Sequence, residues 1–212
     1  MILLASGTAA ADIIYRDQID IRADSIDVKI AEIYTGGDAA IVQKEIADDR
    51  SAFIQRSRDN LAAWSTSYII IDDDPSLLET QGIDVNVTNM SDCFVINSTL
   101  EYEILTPIDC GRHSIWIQGH PAIDERTIIL PENTDMKSIA GIKDTRITKN
   151  SRIMITGASA TRKFMNNTRT TFEYATVVVI DKKPVYAHPW FLPLLGAIEI
   201  ALLGLWWMRR NH

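Results

Sequence analysis

The chain has 212 residues, is 46% hydrophobic and carries a formal net charge of −7. This is enough for one domain of ordinary size with a real core, and too apolar for a disordered segment. The acidic balance argues against DNA or RNA as a partner, because a phosphate backbone is met by basic surfaces.

Residues 1–11 are apolar and end in small side chains. Ala9-x-Ala11 has the form of a signal-peptidase site, although the apolar run is short and no base precedes it. Two readings stay open: the remnant of a signal peptide, or a lead-in to the first strand. Residues 12–183 form the main domain. Ile19 and Ile21 alternate with Asp20 and Arg22, and Ile26, Val28 and Ile30 alternate with Asp27 and Lys29. Two strands joined by a turn at Ala23-Asp24-Ser25 are expected, with one apolar face to cover.

Gly36-Gly37-Asp38 interrupts the pattern, and Asp38 is placed to cap a helix running to about Trp64. Val42, Ile46, Phe53, Leu61 and Trp64 recur at helical spacing, with Lys44, Glu45, Asp48, Asp49, Arg56 and Arg58 between them. The two glycines do not make a phosphate cradle, since no Lys-Ser/Thr follows them. Tyr68-Ile69-Ile70-Ile71 reads as a central strand that ends at Asp72-Asp73-Asp74-Pro75.

Beyond this point the pattern is almost wholly β. Strands are expected around Ile83–Val87, Cys93–Ile96, Leu100–Ile104, Ser114–Gln118, Thr127–Leu130, Thr145–Thr148, Arg152–Thr156 and Thr170–Ile180. The fold class is therefore α+β: a mostly antiparallel sheet with one long amphipathic helix packed on it, followed by a C-terminal transmembrane helix. Four Asn-x-Ser/Thr sequences, at Asn86, Asn89, Asn97 and Asn166, are candidate glycosylation sites. Cys93 and Cys110 are the only cysteines and lie 17 positions apart. In an oxidising compartment they are expected to form one disulfide, worth about 3 kcal/mol.

Residues 184–189 make a short linker. Trp190 to Met208 is a run of 19 residues with a single charge, Glu199. As a helix it is about 28 Å long, close to the hydrocarbon thickness of a bilayer. Trp190 and Phe191 at one end and Trp206 and Trp207 at the other suit the two interfaces. Arg209 and Arg210, in the tail of residues 209–212, place that end in the cytoplasm. A single-pass protein of the cell membrane with its N-terminal domain outside is the expected localisation. Without Glu199, Arg209 and Arg210 the rest of the chain keeps 27 acids and 19 bases, a net of −8. Glu199 falls near the expected midplane, beside a stripe of small residues that includes Gly196, Ala201 and Gly204. It is the candidate contact to a neighbouring helix in the membrane.

No catalytic, metal or cofactor site is expected. Cys110-x2-His113-x6-His120 is too loosely spaced for zinc, and Asp72-Asp73-Asp74 lacks the glycine and alternation of a calcium loop. Gly157-Ala158-Ser159-Ala160 lacks the closing glycine of a nucleophile elbow. His113, His120 and His188 have no local partners for a triad, and Glu101 and Glu103 share one strand face that suits solvent.

The layout, an acidic domain with glycosylation sequences, one C-terminal span and terminal arginines, resembles the single-span cell-surface proteins of archaea. The resemblance covers the two ends of the chain and no motif in the β-rich region. The tail is also similar to archaeal and bacterial sorting signals, with Pro189-Trp190-Phe191 in the place of their Pro-Gly-Phe or Pro-Glu-Phe. The function expected is a membrane-anchored extracellular binding or structural domain of the cell envelope, non-enzymatic, with the bilayer and another protein as partners. One alternative is an accessory subunit of an integral-membrane complex, docked through its span and Glu199. Another is a substrate of a C-terminal sorting protease.

Overall fold

The computed structural model describes residues 13–90, 93–166, 169–187 and 191–210. Residues 1–11, the candidate signal remnant, and Pro189 and Trp190, at the start of the expected span, lie outside them. Twelve strands and two longer helices are present among the described residues. The chain opens with β1 (Ile13–Ile21) and β2 (Ser25–Tyr34), then α1 (Gly36–Ser65) and β3 (Ile69–Ile71). β4 (Leu78–Asn89), β5 (Phe94–Ile104), β6 (Gly111–Gln118) and β7 (Ile123–Ile129) follow. The last strands are β8 (Thr134–Ala140), β9 (Ile142–Lys149), β10 (Ile153–Ser159), β11 (Thr161–Asn166) and β12 (Arg169–Lys182), before the final helix α2 (Phe191–Arg210).

Seven strands form one sheet in the order β4-β5-β2-β1-β7-β10-β9. A second sheet runs β11-β12-β6-β3, with β8 paired to β12 as well. All the pairings are antiparallel except β1 with β7. The β1–β2 hairpin follows its alternation: Ile19, Ile21, Ile26 and Val28 are fully buried, while the flanking Gln18 and Lys29 are exposed. These side chains share one core with Ile115, Ile117, Val178 and Ile180 of the second sheet. The architecture is thus two sheets packed face to face. So many strands with one apolar face each cannot lie in a single flat sheet without curling or splitting.

α1 covers the part of the first sheet formed by β4 and β5. Phe53 and Leu61 are buried there, and Val42, Ile46, Ile54 and Trp64 pack against the same core, as the helical spacing predicts. Arg50 Nη2 donates to the Val87 carbonyl at 3.2 Å, and Arg58 pairs with Asp84 at 2.7 Å. The helix is broken at Asp49, which has φ −158° and ψ 93°. The Asp49 carboxylate accepts from the Ala52 amide at 2.9 Å, so it caps a new helical segment inside the run. At the far end the Tyr102 hydroxyl donates to the Ser65 carbonyl at 3.0 Å.

Several expectations are corrected. The fold is mostly β, with two sheets, one of them mixed, in place of the single mostly antiparallel sheet of an α+β domain. Ile69–Ile71 ends the second sheet and is not a central strand. Cys93 and Cys110 are both free thiols. The reason is geometric: β5 carries the chain about 36 Å away from Cys93. The five residues between its end and Cys110 span six Cα steps and can return at most about 20 Å.

The transmembrane helix does not stand either: among the described residues no helix is long and apolar enough to cross a membrane. In α2 the uncharged runs on either side of Glu199 are 8 and 9 residues. Each is less than about 14 Å long, half or less of the hydrocarbon thickness, and Arg209 and Arg210 fall inside the helix. The single-pass localisation, with the domain held outside, loses the span on which it rested.

Candidate functional site

The inner face of the first sheet changes character along β1 and β2. Reading back from the hairpin turn, the inward positions are Ile21, Ile19, Asp17 and Tyr15 on one strand. On the other they are Ile26, Val28, Ile30, Glu32 and Tyr34. The register sets Asp17 opposite Ile30 and Tyr15 opposite Glu32. The apolar half is covered by the second sheet. The polar half opens into a cleft of about 420 Å³, walled on its other sides by Trp64, Tyr68, Gln118, Gly119, His120 and Ile123.

Each wall is held by a specific interaction. Trp64 and Tyr68, at and just beyond the end of α1, meet edge to face with ring centres 4.9 Å apart. The loop between β6 and β7 brings His120, whose ring meets Tyr15 edge-on at 5.3 Å. The Tyr15 amide donates to the Ala122 carbonyl at 3.0 Å, which hooks that loop onto β1. Gly119 is required at its start: a Cβ there would lie 2.7 Å from Ser159 Oγ and 2.8 Å from the Tyr174 backbone.

Beneath the cleft lies a buried ion pair. Arg126 is fully buried and Asp17 nearly so. Arg126 Nη2 and Nε donate to the Asp17 carboxylate at 2.6 and 3.0 Å. Its remaining donors reach the Gln118 carbonyl at 2.7 Å and Thr176 Oγ1 at 2.9 Å. The Tyr68 hydroxyl donates to Asp17 Oδ2 at 2.9 Å. Burial works against the Arg126 charge, and the adjacent Asp17 carboxylate together with Tyr68 more than restores it. Burial, then the Asp17 charge, pushes the Tyr68 phenol well above its usual range, so it stays a donor. Such a pair holds geometry well and stabilises little. Removing one partner strands a buried charge at a cost of about 3–5 kcal/mol.

Glu32 differs. It lies in the cleft wall, where the Tyr34 hydroxyl donates to it at 2.7 Å, and no base pairs with it among the described residues. Burial raises its carboxyl above the ordinary glutamate range, and the Tyr34 bond pulls partly back. Burial, then the Glu32 charge, raises Tyr15 in turn.

The residues singled out from sequence lie elsewhere. Asn86 and Asn97 are exposed and face each other across β4 and β5. Asn89 is exposed and accepts from Gln43 at 3.3 Å, and Asn166 ends β11. Cys93 Sγ lies 3.8 Å from the Met90 sulfur, at the opposite end of β5 from Cys110. Gly196, Glu199, Ala201 and Gly204 are on α2, where Glu199 and Ala201 are exposed. The Arg209 and Arg210 side chains lie outside the described residues, as does His188. His113 Nδ1 lies 2.7 Å from Asp72 Oδ2, away from the cleft. Only His120 of the residues weighed for chemistry lines it. No group of three metal-ligating side chains occurs among the described residues.

Tyr15, Asp17, Glu32, Trp64, Tyr68 and Arg126 were not legible as a site, although a signal existed. The alternation that makes Ile19, Ile21, Ile26, Val28 and Ile30 inward puts Asp17 and Glu32 on the same inward face. A family scan matches no family model to this chain, and no curated protein matches it.

Proposed function

We propose that the chain is a non-enzymatic binding domain that takes a small ligand in the cleft beside Tyr15, Glu32 and Trp64. The observation that carries this reading is a concave, aromatic-walled space of ligand size, with few polar groups, each held by strands or by a buried ion pair. Binding is favoured over catalysis because the wall offers no serine, threonine or cysteine. Of its two carboxylates, Asp17 is committed to Arg126, so paired acid–base work has only one free member.

The test is a thermal-shift screen of small cationic, neutral and anionic compounds on the full chain and on Trp64→Leu. A ligand at one hundred times its Kd adds about 2.7 kcal/mol to stability. Compounds that raise the Tm of the parent chain and not of Trp64→Leu support the reading. Stabilisers that act equally on both proteins, or none at all, overturn it.

A second reading rests on α2. Leu192, Ile200, Leu202, Leu203 and Trp207 are each more than half exposed, and so large an exposed apolar surface marks an interaction site. In this reading α2 joins the chain to a larger protein assembly, with a partner group facing Glu199.

A further inference from the structure

From the charges and rings of the cleft we infer that its ligand is an organic cation, an alkylated ammonium group seated among Tyr15, Trp64 and Tyr68 with its charge toward Glu32. The inference rests on the cleft reading above and goes further by naming the chemistry.

The charge balance decides first. Asp17 is answered by Arg126 at 2.6 Å. Among the described residues Glu32 is answered only by the Tyr34 hydroxyl, at 2.7 Å. Tyr15 on β1, Trp64 and Tyr68 at and just beyond the end of α1 and His120 of the β6–β7 loop line the cleft with Glu32, Tyr34 bonds it from its own strand, and the Asp17–Arg126 pair lies deeper in. With Glu32 ionised, its charge is therefore unmatched by any base among the described residues. An anionic ligand would meet repulsion there, and a neutral one would leave the charge poorly solvated. A cation resolves it.

The kind of cation follows from the remaining walls. Calcium or magnesium needs six or more oxygen ligands, and the described residues gather no metal-binding group. Aromatic rings attract a diffuse, weakly hydrated cation through their quadrupoles. One carboxylate with three aromatic side chains is the arrangement that selects an alkylated ammonium over a bare metal ion. A space of about 420 Å³ admits such a group with room for a substituent. The net charge of −7 draws cations toward the molecule at long range.

The experiment is calorimetric titration of the full chain with choline and with dimethylbutanol, its neutral carbon isostere, repeated on Glu32→Gln and Trp64→Leu. Choline is expected to bind the parent chain about tenfold more tightly than the isostere, the ratio that 1.4 kcal/mol of cation recognition gives. Glu32→Gln, which can still accept from Tyr34, is expected to abolish that preference, and its Tm reports whether it has folded. Equal binding of choline and its isostere to the parent chain overturns the inference and leaves the cleft reading intact. A preference for choline that survives in Glu32→Gln overturns it too. Binding of neither compound also overturns it. The cleft reading falls as well only if the Trp64-dependent screen finds no ligand of any charge.

Discussion

Asp17 and Glu32 interrupt two otherwise apolar inward faces, and they do so for different reasons. Asp17 is a structural acid: its charge is matched by Arg126, and its free lone pairs are taken by Tyr68. Glu32 is matched by no base among the described residues and is desolvated, so its ionisation costs stability. Burial places its folded carboxyl above its ordinary value of 4.5. Below about pH 4.5 the group is protonated in both states and imposes no penalty. As pH rises through the interval up to the raised folded value, the unfolded chain releases its proton first, and the native state loses stability. Glu32→Gln should therefore melt with the parent chain near pH 4 and above it near pH 7. Calorimetric melts across that range check this, and a variant that is less stable at neutral pH would contradict it. The period-two phase at these positions was readable in the sequence. Their partners were not, because Arg126 and Tyr68 come from strands and turns fixed only by long-range pairing.

The β1–β2 hairpin and α1 are the elements that local pattern made legible. The β1–β2 hairpin follows from alternation around a short polar turn, and α1 from apolar residues at helical spacing. The break at Asp49 was missed because an aspartate inside an otherwise helical pattern looks like one more polar-face residue. β8 and β11 were missed because their apolar alternation is weak, and they exist through pairing with β12. The turn from β8 to β9 likewise depends on tertiary approach. Gly141 has φ +77°, and a Cβ there would lie 1.7 Å from the Ala175 carbonyl oxygen.

α2 was the most conspicuous stretch in the sequence, and its length and apolarity led to a membrane span that the structure does not support. Its exposed side chains still call for a cover. A chain ending at residue 187 is expected to keep the melting temperature and ligand response of the sandwich. It should run as a single small species in sedimentation where the full chain runs heavier. A truncated chain that loses its cooperative melt would show instead that α2 belongs to the fold.

At the scale of the whole molecule, two sheets share one core along most of their length and part at one end, where α1 terminates and the β6–β7 loop crosses β1. The cleft lies at that junction. Its existence depends on the parallel pairing of β1 with β7, which joins residues more than a hundred positions apart, such as Asp17 and Arg126. No local pattern encodes such a pairing, so the strands were legible while the pocket they enclose was not. The most direct measurement is a titration of choline into the isotope-labelled 212-residue chain, followed by backbone amide and tryptophan indole resonances. Shifts are expected to concentrate at Tyr15, Glu32, Trp64 and residues 118–123, with the α2 resonances unmoved. Shifts centred on α2 or spread over the outer sheet face, with the Trp64 indole and Glu32 amide unchanged, would contradict it.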